Sequence, residues 1–188
     1  MGTITANVMM TLNGVAGQPE RWQFEYSSPE MHGLMGRQLA SSTALLLGRR
    51  TYEDFVRYWP TPGAAGNPMS PVMNGLRKYV VSTTLRSAQW NNAEVVAGNV
   101  ADRLRPLRAE PAGALNIIGS PTLVRSLLAA GLIDRVSLMV FPVVATGQPL
   151  FEGPASETGL ELTHCQELPH GVLHLDYCPV RIDREGSS

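Results

Sequence analysis

The stretch LLLGRRTYEDF, Leu45 to Phe55, sets two guanidinium groups directly behind a glycine that closes an apolar run. Gly48 ends the run. A helix starting near Thr51 then turns its unpaired N–H groups and positive dipole end toward the space beyond. Such a place suits a phosphate: Arg49 and Arg50 offer bidentate donors and the Thr51 hydroxyl another. The competing reading is a solvated basic turn, since clustered surface arginines are common.

Two further turns have the same character. In LNIIGSPTLV, Gly119 follows Ile118 and lets the backbone approach a ligand, and the amides from Ser120 to Leu123, through Pro121 and Thr122, open a second anion cradle. In VVSTTL, Ser82, Thr83 and Thr84 leave an apolar run at its end. Ligands of open α/β sheets sit beyond the carboxyl ends of the strands, where all three segments end. Three turns suited to phosphate on one edge suggest a dinucleotide, although no G-x-G-x-x-G fingerprint is present.

The elements that must position these turns follow from the apolar pattern. Runs recur at Ile4 to Leu12, Ala44 to Leu47, Tyr79 to Val81, Val95 and Val96, Leu115 to Ile118 and Val136 to Val144. Short, nearly continuous runs are what strands buried on both faces of a mostly parallel sheet look like. With a C-terminal hairpin turning at Pro169 to Gly171, about eight strands are expected. Helices alternate with them. SSPEMHGLMGRQLASS has Ser28 as N-cap, Pro29 at the first helical position and a stripe of Met31, Leu34, Met35 and Leu39. SPTLVRSLLAAG repeats the device with Ser120 and Pro121. The Pro/Gly-rich Trp59 to Pro71 is expected to be a long surface loop, a possible lid, and the charged Asp102 to Glu110 a solvated helix face.

Composition excludes several classes. The 188 residues suit one α/β domain over 1–182, with 183–188 a disordered tail. Fifteen basic and sixteen acidic residues, net −1, imply no general polyanion surface, so neither nucleic acid nor membrane is an expected partner. No apolar run reaches the ~18 residues of a membrane helix, and no leader pattern is evident. Cys165 and Cys178 fall about three positions out of register in the hairpin, ~10 Å, too far for a disulfide. Reduced cysteines fit a cytoplasmic enzyme. His164, His170 and His174 lack ligand spacing, and no metal is expected.

GRRTYEDF, the turn MTLNGVAG (Met10 to Gly17), VVST, IIGS and LMVFPVVATGQPLFEG (Leu138 to Gly153) occur in an order that resembles the dihydrofolate reductase superfamily. The branch most similar is the reductase domain of riboflavin biosynthesis, RibD C-terminal-like, and the resemblance spans Ile4 to about Arg181. It implies a three-layer fold, NADPH as cofactor and a homodimer. Arg49 and Arg50 would contact the 2′-phosphate and pyrophosphate with Gly48 and Thr51, Ser82 and Thr83 would lie at the adenosine 2′-phosphate, and Gly119 to Leu123 would cradle the pyrophosphate. Met9, Val15, Ala16 and Gly17 would border the nicotinamide.

The catalytic expectations come partly from that resemblance. Asn13 stands where most relatives of this branch carry Asp, and either bonds a substrate or forms the turn. Glu30 is nearest to the carboxylate that folate reductases place on the first helix, or else answers the helix dipole. His32 beside it could relay a proton or be a surface histidine. Trp22, Phe24 and Leu34 wall a substrate pocket or pack the core. Met139 takes the place of a hydroxyl that contacts pterin in folate reductases, which argues against folate. The expected function is hydride transfer from NADPH to a small heterocyclic, pyrimidine- or pterin-like, or ribosylamino-type substrate; the alternative is an NADPH-binding sensor or carrier without turnover.

Overall fold

The computed structural model describes residues 2–109, 114–152 and 158–180. Eight strands form one sheet: β1 (Thr3–Thr11), β2 (Ala44–Gly48), β3 (Arg77–Val81), β4 (Ala93–Val96), β5 (Ala114–Ile118), β6 (Arg135–Phe141), β7 (Gly159–Glu167) and β8 (Leu173–Val180). Their order is β4-β3-β2-β5-β1-β6-β8-β7. Neighbours from β4 to β6 run parallel, and β8 and β7 close the sheet antiparallel. The eight-stranded, mostly parallel expectation is met.

Helices cover both faces. The first is α1 (Pro29–Ala40), followed by α2 (Arg49–Tyr58), α3 (Ser70–Gly75), α4 (Val100–Ala109) and α5 (Pro121–Ala129). Leu45 and Leu47 point to one face, packed with Leu39 of α1, Tyr52 of α2 and Met73 of α3. Ala44 and Leu46 point to the other, where Leu104 of α4 and Val124 and Leu127 of α5 pack. Alternate residues of a strand thus feed different cores, which is why β2 is apolar throughout. A third cluster fixes the start of α1: Phe141 is fully buried, with Trp22 at 4.9 Å and Tyr26 at 5.8 Å, both edge-on. Burying such a ring contributes about 2 to 3 kcal/mol.

Several boundaries differ from expectation. Ser28 caps α1 as anticipated, accepting from the Met31 N–H at 3.1 Å. Helix α2 begins at Arg49, two residues before the expected Thr51, because the extended Gly48 is itself the N-cap. Ser120 does not cap α5 with its side chain; it sits at φ 55°, ψ 56°, and its hydroxyl turns toward α2 instead. Strand β6 stops at Phe141, where Leu12 N–H bonds Val143 O. The segment from Trp59 to Pro71 is, as expected, largely an exposed loop; it carries a 3-10 turn at Pro62–Ala64, runs into α3 at Ser70, and is tied by Ser70 Oγ to Ala64 O at 2.6 Å and by Asn74 Nδ2 to Trp59 O at 2.9 Å. The hairpin pairs Cys165 with Leu175 and Cys178 with Glu161, and both thiols are free. The expected tail, Glu110 of the charged stretch and Gly153 of the motif lie outside the described residues. Among those described, no helix is long and apolar enough to cross a membrane.

Candidate active site

Strands β2, β3 and β5 end side by side, and the three turns named from the sequence meet beyond them. Arg49, Arg50 and Thr51 are the first three residues of α2, whose first turn holds no acid and whose amides no side chain caps. Gly119, at φ 58°, leads into Ser120. The Ser120 hydroxyl accepts the Gly48 N–H at 2.9 Å and donates to Thr51 Oγ1 at 2.8 Å. A Cβ on Gly48 would lie 3.3 Å from that oxygen, so a side chain there would have to push the Ser120 hydroxyl back by a few tenths of an ångström.

The two arginines part. Arg49 lines a recess of about 370 Å³ with Ser82, Thr83 and Thr84. Its guanidinium also holds Glu53 at 2.8 and 3.1 Å, an exposed helical pair. Ser82 is buried and accepts the Thr84 and Leu85 N–H groups, so it shapes the loop, while Thr83 and Thr84 are exposed at the recess. Arg50 and Thr51 line a larger cleft of about 870 Å³ together with Gly119, Ser120 and Pro121. Met9, Ala16, Gly17, Ile118 and Met139 line that same cleft. The donor set fits a dinucleotide with an extra phosphate: amides and a guanidinium in one space, a second guanidinium and hydroxyls in its neighbour.

Other anticipated residues stand elsewhere. Val15 is buried behind the cleft, bridged to Pro149, and Leu123 belongs to the α5 core. Thr122 accepts from Gln148 Nε2 at 3.0 Å. Asn13 is taken up by its turn, with Oδ1 accepting from Thr11 Oγ1 at 2.7 Å and Ala145 N at 3.2 Å, and Nδ2 donating to Ala145 O at 2.9 Å. Glu30 is exposed in the first turn of α1, and His32 is exposed with Nε2 3.0 Å from Ser27 Oγ. Neither lines the cleft. Phe24 is 70% exposed, whereas Trp22 and Leu34 are core.

Sequence reasoning missed the cleft's polar floor. Asn7, Asn116 and Ser137 interrupt the apolar runs of β1, β5 and β6, and a polar residue inside a doubly buried strand was the signal available. Asn7 Nδ2 donates to Asn116 Oδ1 at 2.5 Å, and Gln38 of α1 donates to Ser137 Oγ at 3.0 Å. Behind Ser137 lies His174, 4% exposed, with Nε2 2.9 Å from Ser137 Oγ and 3.2 Å from Asp176 Oδ1. Burial lowers the His174 pKa, and the Asp176 carboxylate opposes that shift in part. Among the described residues no group of three or more metal-ligating side chains is assembled.

The RibD C-terminal domain model matches residues 2–174. The chain belongs to the RibD C-terminal domain family. Among curated proteins it is 24% identical, over 136 residues, to the uncharacterized protein YyaP of Bacillus subtilis (strain 168), covering 71% of this chain and 72% of that one. A crystal structure described as a riboflavin biosynthesis protein from Shewanella superposes with TM-score 0.77 at 18% identity, over 95% of this chain and 99% of that one. Dihydrofolate reductase from Enterococcus faecalis, complexed with NADP(H), superposes with TM-score 0.62 at 16% identity, over 94% and 96%. This member of the RibD family therefore has the dihydrofolate reductase-like fold.

Proposed function

We propose that the protein is an NADPH-dependent reductase acting on a small heterocyclic acceptor, pyrimidine- or pterin-like or of the ribosylamino type. The observation that carries this is the division of the arginine pair between two spaces at one sheet edge. Arg49 faces the recess of Ser82 to Thr84, where a 2′-phosphate would sit, and Arg50 faces the cleft floored by Gly119 and Ser120, where a pyrophosphate would sit. Family membership supports it, as does the NADP(H) bound by the Enterococcus relative. When bound, the dinucleotide supplies hydride; Met9, Ala16, Gly17 and Met139 would exclude water around its ring and orient the acceptor. Calorimetric titration with NADPH and NADH tests the reading: NADPH should bind at least tenfold tighter, and equal affinities would remove it.

A second reading, binding without turnover, draws on the placement of Glu30, His32 and Asn13 outside the cleft. In the reductase a water at the cleft mouth delivers the proton. Cofactor oxidation with aminopyrimidine and pterin acceptors separates the two. We also infer pairing into a homodimer through the β7 edge and the exposed Leu162 and Val180 beside it; sedimentation at a single-chain mass would rule this out.

A further inference from the structure

The sheet floor of the cleft is neutral. Asn7 and Ser137 are level on β1 and β6, Met9 and Met139 are level two residues on, and Gln38 and Met35 approach from α1. The charged residues that line the cleft, Glu20, Arg50, Glu53, Asp54 and Arg57, come from the loop after β1 and from α2.

At this floor the Ser137 hydroxyl is unusually constrained. His174 Nδ1 is buried without a partner, and its Nε2 faces both Asp176 Oδ1 and Ser137 Oγ. A hydrogen on Nδ1 would be a buried unpaired donor and would leave a bare Nε2 lone pair against a carboxylate. The ring hydrogen therefore sits on Nε2. The one Nε2 hydrogen lies between Asp176 Oδ1, which has no other partner among the described residues, and Ser137 Oγ, and Ser137 Oγ also accepts from Gln38 Nε2 on its other side. Both lone pairs face donors, and no acceptor among the described residues takes the hydroxyl hydrogen, which is left for the cleft.

We propose that this hydrogen selects the substrate: Ser137 donates to the carbonyl oxygen of an uncharged, planar acceptor whose apolar body rests on Met9, Met35 and Met139. The class is a conjugated enone, lactone or quinone rather than a phosphorylated compound. The proposal rests on the hydride-transfer part of the reductase reading and puts an uncharged conjugated carbonyl compound in place of its pyrimidine-, pterin- or ribosylamino-type acceptor. Thioether side chains adapt to flat rings and contact them favourably, whereas a phosphate or carboxylate would meet no counter-charge on this floor. Reduction adds a hydride, from the dinucleotide, to the carbon conjugated with the carbonyl, and a proton, from water, to the product. Charge gathers on the oxygen on the way, where the Ser137 hydrogen bond strengthens.

Coumarin, naphthalene and coumarin-3-carboxylate, titrated into the full chain with and without Ser137→Ala, test this by ligand-observed NMR. Coumarin affinity should fall about tenfold in the variant, while naphthalene and NADPH affinities stay within about twofold. The carboxylate should bind the unsubstituted chain at least about tenfold more weakly than coumarin. Unchanged coumarin affinity in the variant, or tighter binding of the carboxylate, overturns the proposal. Nitrogen-15 shifts should show His174 protonated at Nε2; protonation at Nδ1 alone overturns it without any variant. A chain that ignores NADPH yet discriminates coumarin from naphthalene through Ser137 would contradict the reductase reading and leave the Ser137 site standing.

Discussion

Ser120 Oγ donates to Thr51 Oγ1 across 2.8 Å, so the turn after β5 is bonded directly to the first turn of α2. The same oxygen accepts the Gly48 N–H, which makes one hydroxyl the fastener between the two turns. Ser120→Ala should cost about 1 to 2 kcal/mol by leaving that amide unpaired. Ser120→Gly should cost less, because φ 55° is left-handed and favours glycine. Urea unfolding of both variants checks the order, and an alanine variant as stable as the glycine one would contradict it.

Arg49 and Arg50 should fail differently. Arg49→Ala should weaken NADPH about tenfold and leave NADH nearly unchanged, since its recess would hold only the extra phosphate. Arg50→Ala should weaken both by similar factors, since its cleft would hold the phosphates common to both. Fluorescence titrations with the two nucleotides give the ratios.

Lys78 should make stability depend on alkaline pH. It is fully buried on β3, with Nζ donating to the carbonyls of Leu76 at 2.8 Å and of Asn74 and Asn91 at 3.1 Å, and it lies 4.3 Å over the Trp90 ring. Burial lowers its pKa from 10.5 to about 8. Between those values the unfolded chain binds the proton and the folded chain releases it, so folding becomes more favourable as pH rises, by up to about 3 kcal/mol. Below about pH 8 both states are charged and this contribution is flat. Unfolding midpoints of the parent and of Lys78→Met at about pH 7.5 and about pH 9.5 isolate the effect, which the variant should lack.

The aromatic residues around α1 should separate by burial. Phe141→Ala leaves a cavity beneath Trp22 and Tyr26 and should destabilise by about 3 to 5 kcal/mol, whereas Phe24→Ala, at an exposed position, should change stability by less than about 0.5 kcal/mol. Thermal unfolding of the two variants measures the contrast.

The strands and the turns that follow β2, β3 and β5 were legible because both rest on local signals. A doubly buried strand such as ALLLG is a nearly continuous apolar run, and a βα turn carries glycine and hydroxyls at its end. What escaped depends on partners far along the chain. Gln38 and Ser137 are 99 positions apart and meet only once α1 lies on the sheet, and Ser137 and His174 meet through the β6–β8 pairing. The side chain of Ser120 looks like a helix cap in sequence, but the adjacent α2 offers it better-placed partners. Glu30 and Phe24 have types suited to a site, yet the direction in which α1 and the preceding turn face leaves both in solvent.

Isothermal titration of the purified chain with NADPH tests the central claim most directly. Saturable one-to-one binding, at least about tenfold tighter than for NADH and reduced to the NADH level by Arg49→Ala, is the predicted result. Absence of binding at about millimolar NADPH, or equal affinity for the two nucleotides, would contradict the account.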